Sequence, residues 1–209
     1  MLCVVLCAGG RAQVVTLGGG AWTGGSYWVL GAPWSHQAGT FVWATTSGGG
    51  AQLNSTGGGG LEVVGALSVE SDVTVNAAVS MWNASSLTLG QTTSSVALTL
   101  NGPLMMWNAS SLRLGDRSNS LTANAELSMW DASSLRVGNG CTMTTNAPLN
   151  MANAASLSVA SASSTLRQYG GGTWASTASA NVSGTLDLRQ GNYSLASPLS
   201  GVQGTVQVR

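Results

Sequence analysis

The 209-residue chain has few charged residues, one histidine, no lysine and no isoleucine. Only 7% of its residues are charged, against roughly 25% in an ordinary soluble domain. Seven basic residues balance seven acidic ones, which excludes the basic surface expected of a nucleic-acid-binding protein. No apolar run reaches the roughly 18 residues that a membrane-spanning helix needs, so no membrane span is expected.

Reactive side chains are equally scarce, which argues against catalysis. The carboxylates do not form pairs in neighbouring repeats, and His36 has no evident acid or nucleophile beside it. Cys3, Cys7 and Cys141 do not have the number or spacing of a disulfide framework or a zinc site. We therefore expect a protein that is not an enzyme and that has no cofactor and no metal site.

The sequence does contain a repeat. The four copies are VSMWNASSLTLG (79–90), LMMWNASSLRLG (104–115), LSMWDASSLRVG (127–138) and LNMANAASLSVA (149–160). Their methionines, which are Met81, Met106, Met129 and Met151, are separated by 25, 23 and 22 residues. A unit of this length cannot bury its own apolar face, so it must stack on its neighbours in a solenoid.

Apolar residues occur in pairs two positions apart, which indicates strands. In the first copy and the segment before it, these pairs are Val73 and Val75, Val79 and Met81, and Leu87 and Leu89. Each coil therefore holds three short strands, and equivalent strands of successive coils pair in parallel about 4.8 Å apart. We predict an all-β fold, a single-stranded parallel β-helix of about nine coils of 22–25 residues.

The predicted β-helix covers residues 61–209. Residues 13–60 are rich in glycine and tryptophan, and we interpret them as an N-terminal cap or as irregular early coils. Residues 1–12 fit a short signal peptide, and the alternatives are a first buried strand or a sequence that begins within a protein. Five Asn-x-Ser/Thr sequons fit an extracellular or cell-surface location, and they lie at Asn54, Asn83, Asn108, Asn181 and Asn192.

Three tryptophans follow the inward methionine in consecutive repeats. Trp82, Trp107 and Trp130 should point outward one coil apart, and the fourth repeat has Ala152 in their place. Flat indole rings stack on sugar rings, so this file is a candidate ligand-binding surface. The alternative is that the indoles stack on one another and stabilise the fold by about 0.5–1.5 kcal/mol per pair.

A threonine file forms a second candidate ligand-binding surface. Its members are Thr74, Thr99, Thr122 and Thr144, and each stands two residues before an asparagine, which is Asn76, Asn101, Asn124 or Asn146. Regular threonine arrays on flat parallel sheets are also the surface type of ice-binding solenoids. The alternative is that threonine simply suits exposed strand positions.

The turn after the tryptophan contains Asn83, Asn108, Asp131 and Asn153 in the four repeats. Amide side chains stacked in this way predict an asparagine ladder along the solenoid, next to the stacked inward methionines. This structural role competes with glycosylation of Asn83 and Asn108. One carboxylate among amides carries too little charge for a calcium site.

Two arginines, Arg113 and Arg136, should face outward in register, with Asp116 and Asp131 nearby. We interpret them as solvated surface pairs, which contribute little to stability. The alternative is a site for acidic sugars. Cys141 aligns with Val96 and should pack in the core.

The Leu-x-Met-Trp-Asn-Ala-Ser-Ser-Leu-x-Leu-Gly units and the phrase Gly-Thr-Leu-Asp-Leu at 184–188 resemble the coils of bacterial autotransporter passengers and filamentous adhesins. They also resemble eukaryotic surface proteins with similar coils. The resemblance implies a right-handed β-helix and an extracellular structural or adhesive role, with a glycan or a surface protein as partner.

Two alternatives to an adhesive solenoid stay open. One is a carbohydrate-active enzyme of the β-helix class, a polysaccharide lyase or hydrolase. The other is a fragment of a larger repeat surface protein. The sequence stops on the strand pattern Val206 to Val208 without a polar cap, which favours end-to-end self-association or continuation in a longer chain.

Overall fold

The computed structural model describes residues 15–17, 20–23, 27–30, 34–36, 40–44, 51–55, 60–63, 66–69, 72–90, 95–196, 199–200 and 202–209. From Leu61 onward side chains are described as well, except those of Glu62, Ser68 and Ser200, and the strands before Leu61 are described by their backbone alone. These residues form strands joined by turns and bends, without a helix among them. In this part of the chain, accordingly, no helix has the length and apolar character to cross a membrane.

The strands form three parallel sheets, which we call A, B and C, and each coil adds one strand to each sheet in that order. The strands of sheet A are β1 (Val15–Leu17), β4 (Trp34–His36), β7 (Gly60–Val63), β10 (Ala78–Met81), β13 (Leu104–Met106), β16 (Leu127–Met129), β19 (Leu149–Met151), β22 (Gly172–Trp174) and β25 (Tyr193–Leu195). The strands of sheet B are β2 (Gly20–Thr23), β5 (Thr40–Ala44), β8 (Ala66–Val69), β11 (Ser86–Leu89), β14 (Ser111–Leu114), β17 (Ser134–Val137), β20 (Ser156–Val159), β23 (Ser179–Val182) and β26 (Leu199–Ser200). The strands of sheet C are β3 (Tyr27–Leu30), β6 (Ala51–Ser55), β9 (Val73–Asn76), β12 (Ala97–Leu100), β15 (Ser120–Ala123), β18 (Thr142–Thr145), β21 (Thr165–Gln168), β24 (Thr185–Leu188) and β27 (Thr205–Val208).

The core is a set of apolar columns that run along the solenoid axis. The methionines are in register from β10 to β19, and Trp174 of β22 continues their column. Each of these five side chains is at most 1% exposed. Full burial of one such side chain is worth roughly 1.5–3 kcal/mol, so these columns supply most of the folding energy.

The structure confirms the predicted fold class, an all-β parallel solenoid with three short strands in each coil. Each sheet has nine described strands, which corresponds to nine coils. The right-handed winding of the β-helix stays a prediction, and so does the division of the chain between an N-terminal segment 13–60 and a β-helix 61–209. The segment 1–12 lies outside the described residues, whereas β1 to β6 of the segment 13–60 pair into the same three sheets.

The three corners of a coil differ in how constant they are. The corner from sheet A to sheet B has the same length in coils 4 to 7. Four residues, 82–85, separate Met81 at the end of β10 from Ser86 at the start of β11, and the equivalent turns are equally long. The corner from sheet B to sheet C varies in length and accounts for most of the difference between repeats. Insertions in one corner therefore leave the register of the sheets unchanged.

Candidate functional site

The backbone conformation of the turn between sheets A and B explains why the sequence of this turn is so constant. Its two central residues have positive φ in coils 4 to 7, for example 53° at Asn83 and 59° at Ala84. Asparagine and aspartate tolerate this left-handed conformation better than most residues. The turns also bond along the axis, since the Ala84 N–H donates to the Asn108 carbonyl oxygen at 2.8 Å.

The side chains of this turn form the predicted ladder, which we call the turn ladder (Asn83, Asn108, Asp131 and Asn153). The Asn108 amide donates to Oδ1 of Asn83 at 3.5 Å, and the Asn153 amide donates to Oδ1 of Asp131 at 3.2 Å. An ionised carboxylate has no proton to donate, so Asp131 cannot continue the ladder to Asn108. The turn ladder is therefore interrupted at the one position where aspartate replaces asparagine.

The three tryptophans of the predicted aromatic file stack on one another. The ring centroids of Trp82 and Trp107 are 4.0 Å apart with an interplanar angle of 13°, and those of Trp107 and Trp130 are 5.2 Å apart at 12°. All three side chains are half-buried. Both faces of the Trp107 indole are thus covered by its neighbours, and a sugar ring can reach only its edge.

The predicted threonine file lies on the outer side of sheet C. Thr74, Thr99, Thr122 and Thr144 are in register on β9, β12, β15 and β18 and are half-buried. Their hydroxyl groups have no hydrogen-bond partner among the described residues. These four hydroxyls are therefore available to a ligand, over a length of about 14 Å along the axis.

Beside this file lies an asparagine ladder on sheet C, which we call the strand ladder (Asn76, Asn101, Asn124 and Asn146). Each amide donates to Oδ1 of the preceding coil, at 2.6 Å from Asn101 and at 2.7 Å from both Asn124 and Asn146. From the sequence, these residues were predicted only as companions of the threonines. Their constant offset in four coils was the signal that could have identified this second ladder.

The two ladders allow a reciprocal test. Asn124→Asp removes the donor to Asn101 but keeps the acceptor for Asn146, so we expect the free energy of unfolding to fall by about 0.5–1.5 kcal/mol. Asp131→Asn supplies the missing donor to Asn108 and should raise the free energy of unfolding. Chemical denaturation followed by circular dichroism measures both changes, and a loss of stability in Asp131→Asn would contradict this account.

A second threonine file borders the first one, and its members beyond Thr142 were missed by sequence reasoning. Ser120, Thr142, Thr165, Thr185 and Thr205 are in register on the outer side of sheet C. The repeat motif is lost after residue 160, so only the strand pairing aligns the later members. We call the outer side of sheet C, with both threonine files and the strand ladder, the hydroxyl face.

The hydroxyl face ends in charged residues in the last three coils. Arg167, Asp187 and Gln207 continue the first threonine file. Tyr169, Arg189 and Arg209 follow two residues after them and continue the line of the strand ladder. We call this group the charged end of sheet C.

Asp187 lies at the centre of the charged end and is only 3% exposed. The Arg189 Nε atom donates to Oδ2 of Asp187 at 2.7 Å. This hydrogen bond, with the positive charges of Arg189, Arg209 and Arg167, holds the pKa of the Asp187 carboxyl below its ordinary value against the raising effect of burial. Asp187 is therefore ionised at neutral pH.

Arg113 and Arg136 are in register on the outer side of sheet B, as predicted. Both contact one carboxylate, since Asp116 lies 3.3 Å from Arg113 and 3.5 Å from Arg136. Asp116 also accepts the backbone N–H of Asn139 at 2.8 Å, and this bond is the main reason that the pKa of its carboxyl is lowered. Asp131, which we expected near these arginines, instead accepts the amide of Asn153.

The variable corner beside these arginines contains a cavity of about 180 Å³, lined by Gly90, Arg113, Gly115, Asp116 and Arg117. Pockets for small ligands are usually larger, about 300–1,000 Å³. Cys141 is fully buried nearby, and its thiol contacts the Gly115 carbonyl oxygen at 2.7 Å. The part of the chain that the structure describes has no group of three or more His, Cys, Asp or Glu side chains placed to hold a metal.

The described residues thus form a parallel β-solenoid, and from Leu61 onward they present three distinct outer surfaces: a tryptophan stack, an arginine pair and the hydroxyl face. The resemblance to surface proteins with similar coils is supported at the level of this architecture. Comparison with protein-family models, with curated proteins and with solved structures finds no match for the chain.

Proposed function

We propose that this protein is an extracellular, non-enzymatic solenoid with a structural and adhesive role, and that the hydroxyl face is its contact surface for an extended polysaccharide. The observation that carries the proposal is the row of four in-register threonine hydroxyls without partners among the described residues. Hydroxyl groups both donate and accept hydrogen bonds, which suits the hydroxyls of a sugar chain. A polymer that lies along the axis meets one threonine every 4.8 Å or so.

The strand ladder supports this assignment because it holds the face rigid. Its three amide hydrogen bonds of 2.6–2.7 Å fix the side chains next to the threonines. A rigid surface loses less conformational freedom when it binds a ligand, and this favours affinity.

The tryptophan stack is a weaker candidate for the contact surface. Sugar recognition by indoles uses the ring faces, and both faces of Trp107 are taken by Trp82 and Trp130. We assign these residues a scaffold role, in which each stacked pair contributes about 0.5–1.5 kcal/mol. Glycan binding by the tryptophans stays a prediction.

The state of the carboxylates supports a protein that is not an enzyme. Each of the five carboxylates whose side chains are described already accepts a hydrogen bond; they are Asp72, Asp116, Glu126, Asp131 and Asp187. They lie at separate places on the solenoid rather than as a pair across one cleft. A glycoside hydrolase needs two carboxyl groups on either side of the scissile bond.

The test replaces two central threonines by isosteric valines in the full chain. Thr99→Val with Thr122→Val removes two hydroxyls and keeps the β-branched shape, so the fold should be unchanged. Loss of two ligand hydrogen bonds at about 0.5–1.5 kcal/mol each should weaken binding on an array of neutral and acidic polysaccharides by about tenfold or more.

The matched control replaces two serines on the outer side of sheet B. Ser111 and Ser134 are in register on the outer side of sheet B and are half-buried like the threonines. Ser111→Ala with Ser134→Ala should leave polysaccharide binding unchanged. The proposal fails if the wild-type protein binds none of the polysaccharides, or if the valine and alanine variants lose binding equally.

A further inference from the structure

A cluster of charged residues lies at one end of the hydroxyl face. Three of the seven arginines of the chain, Arg167, Arg189 and Arg209, surround a single carboxylate, Asp187. The side chains of the cluster therefore carry a net charge of +2. The first threonine file and the strand ladder carry no charged residue from Thr74 to Asn146.

Asp187 forms hydrogen bonds with only one of the three arginines among the described residues. Both Nε and Nη2 of Arg189 contact Oδ2 of Asp187, at 2.7 and 2.5 Å. Oδ1 of Asp187 is buried without a hydrogen-bond partner among the described residues, and Nε of Arg209 is 3.9 Å away from it. That distance is too long for a hydrogen bond.

Arg167 and Arg209 consequently keep unused N–H groups. Arg167 is exposed, and its guanidinium has no hydrogen-bond partner within the described part of the chain. Arg209 donates from Nη2 to Gln207, and its side chain is 60% exposed. Guanidinium groups are planar forks that match the two oxygens of a carboxylate or sulfate.

The third arginine is held in place before any ligand arrives. Its guanidinium lies 5.7 Å from the centre of the Tyr169 ring, and Nη1 is 3.4 Å from the Tyr169 hydroxyl. The Tyr193 hydroxyl contacts the backbone of the same residue, since its single proton lies between the carbonyl oxygens of Gln168 at 2.6 Å and Arg189 at 2.8 Å. Asp187 and the two tyrosines thus preorganise Arg189, which lowers the entropy lost on binding an anion.

We infer that the charged end of sheet C binds a carboxylate or sulfate group of an acidic polysaccharide, with Arg167 and Arg209 as donors and Arg189 as a fixed positive charge. This inference rests on the proposed function, because the same polymer would continue over the threonines. Thr165 and Thr185 lie in register beside Arg167 and Asp187 and supply hydroxyls next to the anion. A neutral polysaccharide would use the threonines alone.

The test measures the binding of three polymers that share one backbone: dextran, carboxymethyl-dextran and dextran sulfate. The full-length protein should bind the two acidic polymers at least tenfold more tightly than dextran. Arg167→Gln should remove most of that difference, and it should make the binding of the acidic polymers less dependent on salt, because one ion contact is lost. Arg113→Gln on sheet B lowers the net charge equally and should change binding by less than twofold.

The outcomes separate this inference from the proposed function. Equal binding of dextran and the acidic polymers, or equal losses in Arg167→Gln and Arg113→Gln, would overturn the anion site and leave the threonine surface standing. Weaker binding of the acidic polymers by Arg167→Gln, together with unchanged binding by the Thr99→Val, Thr122→Val variant, would support the anion site and overturn the proposed threonine surface. Tighter binding of polyglutamate than of either acidic dextran would show a peptide partner and reject a polysaccharide.

Discussion

Replacing Met106 with alanine should lower the free energy of unfolding by about 2–5 kcal/mol, the cost of deleting a buried methionine side chain and leaving a cavity. Met106 is fully buried and lies in register between Met81 and Met129. The methionines above and below it belong to neighbouring coils, so the cavity cannot close unless the paired strands move. Denaturant unfolding followed by circular dichroism measures the change.

The adjacent residue is a matched control. Met105 lies on the same strand, β13, but points outward and is half-buried. Met105→Ala should cost less than about 1 kcal/mol, as is usual for surface positions. Equal losses in the two variants would contradict the assignment of the inward and outward sides of sheet A.

Replacing Gly102 with alanine should cost about 3 kcal/mol or more, at the upper end of the range for overpacking. A Cβ atom at this position would overlap the carbonyl group of Ala77 and lie 2.8 Å from the nitrogen of Ala78. These are backbone atoms of the preceding coil, which cannot rotate away. The corner after β12 would have to move away from the corner after β9, and the bond from Asn101 to Asn76 in the strand ladder would lengthen.

The equivalent corner one coil later tolerates a Cβ atom, so the requirement for glycine is specific to position 102. It carries Ala125, one residue after Asn124 as Gly102 is one residue after Asn101. Ala125→Gly should lower stability by no more than about 1 kcal/mol, the ordinary effect of added backbone freedom. Thermal or denaturant unfolding of the two variants tests the contrast, and a neutral Gly102→Ala would contradict the close approach of the two coils.

Much of the fold follows from the sequence because every coil repeats the same offsets. The period of two places Val79 and Met81 on one side of a strand, and the repeat places Met106 next to Met81 in the adjacent coil. The same reasoning located the turn at Asn83 and the outward positions of Trp82 and Thr74. Local periodicity and register contain all of this information.

The candidate site was only partly predictable. The sequence contained the threonine file, but the mutual covering of the tryptophan faces depends on side-chain rotation, which no pattern specifies. The contact of Asp116 with both Arg113 and Arg136 depends on the path of the variable corner. Asp131 is also close to Arg136 in sequence, yet it lies in the turn before β17, whereas the variable corner follows that strand.

The sequence by itself determined the stacking of coils, the three sheets and the inward columns, because these depend on hydrophobic period and repeat length alone. Only the tertiary structure decided which outer residues meet. Thr165, Arg167, Asp187 and Arg209 come from coils of unequal length beyond the recognisable repeats, and strand pairing alone brings them onto one face. The charged end of sheet C therefore exists through register between coils, a long-range property that the local sequence does not encode.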